Sequence, residues 1–88
     1  MIAEPFSDGR LRGTIYRMNR GEGLPEHVHG DSDSHLTFVM SGTIRATGPG
    51  WSDEGGPGTL WRFAASDPHS LTATQEGTTI LNLLKGVP

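Results

Sequence analysis

"SHLTFVMS", residues 34–41, is the most strongly alternating stretch in the chain. Successive side chains on a strand point to opposite faces, so His35, Thr37, Val39 and Ser41 share one face and Leu36, Phe38 and Met40 the other. The turn "SGT" bounds this strand and "TIRAT" follows it as another. Working outward, "TIYRMN" at 14–19 sets Tyr16 and Met18 against Arg17 and Asn19 with the same period of two. "GEGLPE" at 21–26 reads as a turn and "HVH" at 27–29 as a short strand. "GPGWSDEGGPG" at 48–58 reads as a glycine-rich loop. "TLWRF" at 59–63 and "HSLTAT" at 69–74 are strands joined by "AASDP", and "TTILNLLKG" at 78–86 is the last. No window sustains an apolar repeat of three to four residues. About seven short strands with polar turns predict an all-β chain folded as a small antiparallel sandwich or barrel.

The face bearing His35 can look into a cavity only if the opposite face, Leu36, Phe38 and Met40, is covered by something else. A lone small barrel leaves that face wet, so a second sheet or a second subunit is expected there, and with it a homodimer.

The composition narrows the function. Eighty-eight residues predict one domain over 1–88, with a core too small to be generous, so a metal or a partner subunit is expected to help. There is no cysteine, which excludes disulfides and thiolate metal sites. The net charge is −3 with no basic block, which argues against nucleic acid and anionic membranes as partners. The N-terminal stretch "MIAEPFSDGR" lacks a basic region followed by an apolar run, and no apolar stretch is long enough to span a bilayer. A soluble, cytoplasmic protein is the resulting expectation.

Three of the four histidines fall within "HVHGDSDSH", residues 27–35. Histidine is the commonest metal ligand, and strand alternation gives His27 and His29 a common face. Were their strand and the next to pair as a hairpin, His35 would lie across from them. His69 would arrive from a distant strand. Taken alone, H-x-H is equally the pattern of two surface histidines.

The spacing resembles the cupin superfamily. Its first motif reads Gly, five residues, His-x-His, a short gap, Glu, six residues, Gly. Here Gly21 precedes His27-Val28-His29 by five residues, and six residues separate His35 from Gly42. The second motif reads Gly, five residues, Pro-x-Gly, two residues, His, three residues, Asn. Gly58 is followed by five residues, then Ala64-Ala65-Ser66, with His69 in the histidine place and Ala73 in that of the Asn. Motif 1 thus covers about 21–42 and motif 2 about 58–73.

The resemblance implies a small double-stranded β-helix, the cupin-type jelly-roll barrel. It also implies one divalent transition metal (Zn, Fe, Ni or Cu) held by His27, His29, His35 and His69. The family's glutamate is replaced by His35, and a forward count from His29 lands nearer Asp33, which stays the reserve ligand. Tyr16, Met18, Trp61 and Phe63 fall at positions that point into a cupin barrel, and Thr37 and Val39 share the His35 face. Their other reading is plain core packing. Glu26, Asp31 and Asp33 are candidates to orient the ligand rings.

Four neutral imidazoles leave the charge of a divalent ion uncompensated, which favours an anionic or enolisable substrate oxygen. Binding needs unprotonated rings, so such a site should release metal as pH falls toward about 6. A metal-dependent enzyme on a small organic substrate, a non-enzymatic ligand-binding or sensing module, and a purely structural metal all remain open at this point. A separate acid or base is not evident beyond Tyr16.

Overall fold

The computed structural model describes residues 1–9, 11–27, 35–64 and 67–85, and at Glu26, His27, His35, Leu84 and Lys85 only the backbone is considered. Nine strands form among the described residues: β1 (Ile2–Asp8), β2 (Leu11–Met18), β3 (Gly23–His27), β4 (His35–Ser41), β5 (Ile44–Gly48), β6 (Trp51–Gly55), β7 (Leu60–Phe63), β8 (His69–Ala73) and β9 (Thr78–Lys85). They make a five-stranded sheet, ordered β1-β2-β9-β4-β7, and a four-stranded sheet, ordered β3-β8-β5-β6. Every pairing is antiparallel. The all-β jelly-roll expectation holds. No described helix is long and apolar enough to cross a membrane.

The two sheets face each other across one core. Met18, Val39 and Ile80 from the five-stranded sheet meet Ile44, Ala46, Leu71 and Ala73 from the four-stranded one, with Phe63 at one end. Alternation explains the selection. In β8, His69, Leu71 and Ala73 are buried while Thr72 between them is exposed. In β4, Thr37 and Val39 are fully buried, whereas Phe38 and Met40 look outward. Burying one such Ile or Leu contributes roughly 1.5–3 kcal/mol, so this cluster carries much of the driving force.

Three local expectations are corrected. Residues 48–58 are not one loop, because β6 lies within them. Its register with β5, closing at Gly48 opposite Trp51, leaves only Pro49 and Gly50 in the turn, and Gly50 takes φ 76°. Proline before a positive-φ glycine is a two-residue turn, and it lets the polar Trp51–Glu54 run pair as an edge strand. Next, "GEGLPE" does not turn as a whole: Gly23–His27 is strand, and the turn is Asn19–Glu22, closed by Glu22 N–H donating to Asn19 O at 3.0 Å. Pro25 is tolerated because β3 is an edge strand. Finally, Ser41 leaves the face of Thr37 and Val39. A register shift after Val39 places it opposite Thr79, and its hydroxyl donates to Gly77 O at 2.9 Å. The N-terminal β1 had no counterpart in the sequence reading; its seven residues are all exposed and pair only with β2.

The Asn19–Glu22 turn is tied by a carboxylate. Glu22 Oε1 accepts from the Asn19 N–H at 2.8 Å, and Oε2 from the Met1 amine at 2.9 Å. The backbone donor chiefly, and the amine after it, hold the Glu22 carboxyl below its ordinary range. A depressed folded-state pKa gives stability that is present above the unfolded value and lost as pH falls through the folded one. Glu22→Gln should therefore leave the acid limb of a urea-midpoint-against-pH profile slightly shallower than wild type. An unchanged limb would show the turn carboxylate to be energetically idle.

Candidate functional site

His69 opens β8, a central strand of the four-stranded sheet, and its ring is completely buried. The preceding Asp67-Pro68 segment positions it: His69 Nδ1 lies 2.8 Å from Asp67 O. A carbonyl oxygen only accepts, so this nitrogen carries the ring proton and a neutral imidazole keeps its lone pair on Nε2. That Nε2 is buried away from water. One face of the ring stacks on Phe63 with centroids 4.1 Å apart and planes 5° from parallel. Phe63 in turn stacks on Trp51 at 6.0 Å and 26°.

The strand registers bring two further predicted ligand positions to this end of the barrel. His27 is the cross-strand partner of His69. His35, opening β4, is the partner of Phe63 on one side and of Leu84 on the other. Partner residues on paired strands have Cβ atoms about 4.5–5.5 Å apart. The hairpin expected between the strands of His27 and His35 does not form. β3 belongs to the four-stranded sheet beside β8, and β4 to the five-stranded sheet between β7 and β9. The two positions approach from opposite walls. His29, Asp31 and Asp33 lie outside the described residues. Among the described residues, no three His, Cys, Asp or Glu side chains form a group able to hold a metal.

Of the expected pocket positions, Met18, Val39 and Phe63 are buried in the core cluster, and Tyr16 and Trp61 pack against it half-buried. Thr37 is fully buried, and its hydroxyl donates to Asn82 Oδ1 at 2.7 Å. Asn82 is the interior polar residue that the sequence reading passed over. The signal was an amide in the middle of the apolar run of β9, opposite both Thr14 and Thr37. Trp61 Nε1 donates to Asp53 Oδ2 at 3.0 Å, so edge strand β7 of one sheet is tied to edge strand β6 of the other. Beside this tie opens a cleft of about 440 Å³ lined by Pro49, Trp51, Arg62, Phe63, Asp67 and Pro68. Phe63 and Asp67 are therefore shared between the cleft wall and the surroundings of His69.

No family model and no curated protein matches this sequence. Solved structures do match it. An RmlC-like cupin protein from Desulfovibrio desulfuricans superposes with a TM-score of 0.85 at 19% identity, over 96% of this chain and 80% of that one. The Cupin_2 domain of an XRE family transcriptional regulator from Enterobacter cloacae superposes with a TM-score of 0.80 at 18% identity, over 99% and 96%. A W96F variant of oxalate decarboxylase from Bacillus subtilis gives 0.77 at 27% identity, over 88% of this chain but only 21% of that one.

Proposed function

We propose, from the premise that this chain has the cupin fold, that it is a small metalloprotein binding one divalent transition metal at the His69 end of its barrel. His27, His29, His35 and His69 would hold the ion, with Asp33 the alternative to His35. The observation that carries this reading is the state of His69. Its ring is buried, its proton is held by a backbone carbonyl on the far nitrogen, and its strand partner is another histidine. Metal-ligating histidines regularly donate their second ring nitrogen to a carbonyl or carboxylate in this way. The donor set suits Zn, Fe, Ni or Cu better than Mg or Ca, because imidazole is a borderline-soft ligand. When bound, such an ion supplies a Lewis acid that polarises a substrate oxygen.

The chain's own contributions are orientation and exclusion of water. Phe63 and Trp51 give the cleft flat apolar walls, and Asp67 holds the His69 ring from behind. Thr37 and Asn82 supply the polar groups of the interior. A small organic molecule with an anionic or enolisable oxygen fits this chemistry, and reaction on it is the enzymatic form of the proposal.

A second reading has its own support. The chain matches a regulator's Cupin_2 domain over nearly the whole length of both, so a ligand-binding module without turnover is the alternative. Elemental analysis of protein purified without added metal tests the shared premise. The expected result is about one transition-metal ion per chain, and less than roughly 0.1 per chain after supplementation would end both readings as stated. Thermal melts with and without chelator separate a structural staple, for which stability collapses on metal removal, from a site the fold tolerates empty.

A further inference from the structure

We infer that the cleft between β6 and β7 takes a small planar monocarboxylate, its flat part stacked on Trp51 and its carboxylate held by Arg62. The inference deepens the small-molecule reading above and rests on it for the cleft being the ligand's place, while needing nothing of the metal. β6 and β7 are edge strands of the two sheets, and the cleft of about 440 Å³ opens beside the tie between them. Volumes of roughly 300–1,000 Å³ suit small organic ligands.

Trp51 is the residue of this cleft that packing of the core does not explain. It is 39% exposed and sits on an edge strand. Its place is nonetheless fixed. The tight Pro49-Gly50 turn delivers it, and its ring stacks on Phe63 at 6.0 Å. Its indole lies over Gly48 so closely that any Cβ there would strike it, and Pro68 O borders the same spot. Pro49 and Pro68 complete the wall on either side. An indole held in this way offers a flat apolar surface that loses little freedom when a ligand stacks on it.

Charge selects the ligand. Among the described residues, Arg17 and Arg45 are paired with Glu4 and Glu54, whereas Arg62, exposed on the cleft border, has no carboxylate partner. A guanidinium fork matches a carboxylate through two parallel N–H···O bonds. The other charged group of the lining, Asp67, is engaged with its own chain, its Oδ2 accepting from the Ala64 N–H at 3.1 Å. One open cation beside one fixed anion suits a single negative charge, and a phosphate dianion would be repelled by Asp67. A ligand seated here also lies against Phe63, which stacks on His69, so the cleft leads toward the buried histidine.

Benzoate is the probe, titrated into the full chain at neutral pH in chelator, so that metal plays no part. The Trp51 indole N–H resonance, assigned by its loss in Trp51→Phe, is expected to shift with a dissociation constant of about 1 mM or below. Benzamide has the same shape without the charge and should bind about 10-fold more weakly. Cyclohexanecarboxylate has the charge without the flat ring and should bind about 3-fold more weakly. Arg62→Gln, at an exposed position, should reduce benzoate to the affinity of benzamide. Arg45→Gln, exposed on the outer face of the four-stranded sheet, should leave it unchanged. A Trp51 resonance unmoved by about 10 mM benzoate, equal binding of either analogue, or wild-type affinity in Arg62→Gln would each overturn the inference. A chain that takes benzoate in this way yet holds no metal keeps the inference and loses the metal site; a metal-loaded chain indifferent to benzoate does the reverse.

Discussion

Replacing Gly42 by Ala is expected to destabilise the protein by about 2–5 kcal/mol, two separate costs acting at one position. Gly42 has φ 73°, a left-handed conformation in which a Cβ crowds its own backbone at roughly 1–2 kcal/mol. The added Cβ would also sit 2.6 Å from the Cα of Thr78 and against its hydroxyl. Thr78 cannot retreat. It is fully buried, its hydroxyl donates to Gln75 O at 2.7 Å, and the same oxygen accepts from Thr43 N–H at 3.3 Å. Forcing a methyl into a packed site of this kind adds about 1–3 kcal/mol. In a domain of this size the melting temperature should fall by approximately 10–25 °C, read by calorimetry or a denaturant midpoint. Gly9→Ala is the internal comparison. Gly9 also has positive φ, 60°, but nothing lies within 4 Å of its would-be Cβ, so only the conformational cost applies. Equal effects at the two glycines would refute the role given to Thr78.

The second large effect is expected at His69. His69→Ala should weaken transition-metal binding by on the order of 100-fold or more, since even the groups that orient a ligand typically contribute 10- to 100-fold. It should also lower stability with no metal present, because it removes a fully buried ring stacked on Phe63. Separating the two requires metal titration of folded protein alongside melts in chelator. His69→Gln, closer in volume and able to keep a hydrogen bond near Asp67 O, should recover part of the stability but little of the affinity. Metal binding at wild-type strength in either variant would remove His69 from the ligand set. Applied to position 35, the same titration decides between His35 and Asp33: unchanged binding by His35→Ala leaves Asp33 or water in that place.

Much of this was legible in the order of residues. Alternation identified β2, β4, β7, β8 and β9, because a strand with one buried face must place apolar side chains at every second residue. It set Tyr16 with Met18, and Thr37 with Val39, on common faces, while the inward direction of Phe63 came from the cupin resemblance; Met18, Thr37, Val39 and Phe63 are all buried. The glycines of the two motif-like stretches proved to have a backbone reason: Gly21, Gly42 and Gly58 all take positive φ. β1 and β6 escaped notice because both are edge strands with both faces largely exposed, so they carry no period-two pattern of burial. β3 was hidden by its proline and glycine, which signal a turn in the interior of a sheet but are tolerated at its edge.

What sequence alone determined, then, is which residues of the alternating strands share a face, that the chain is all-β, and which residues have metal-ligand chemistry. Pairing was decided only by the tertiary structure. His27 and His35 are near neighbours in sequence yet belong to different sheets, while His27 is matched with His69, forty-two residues away. Side-chain periodicity has no term for this. A strand's alternation is the same whichever partner it pairs with, and the choice is made by burying both sheets' apolar faces against one another at once. The cross-strand partnership of His27 with His69, the stack of Phe63 on His69 and the Thr37–Asn82 bond are all products of that choice.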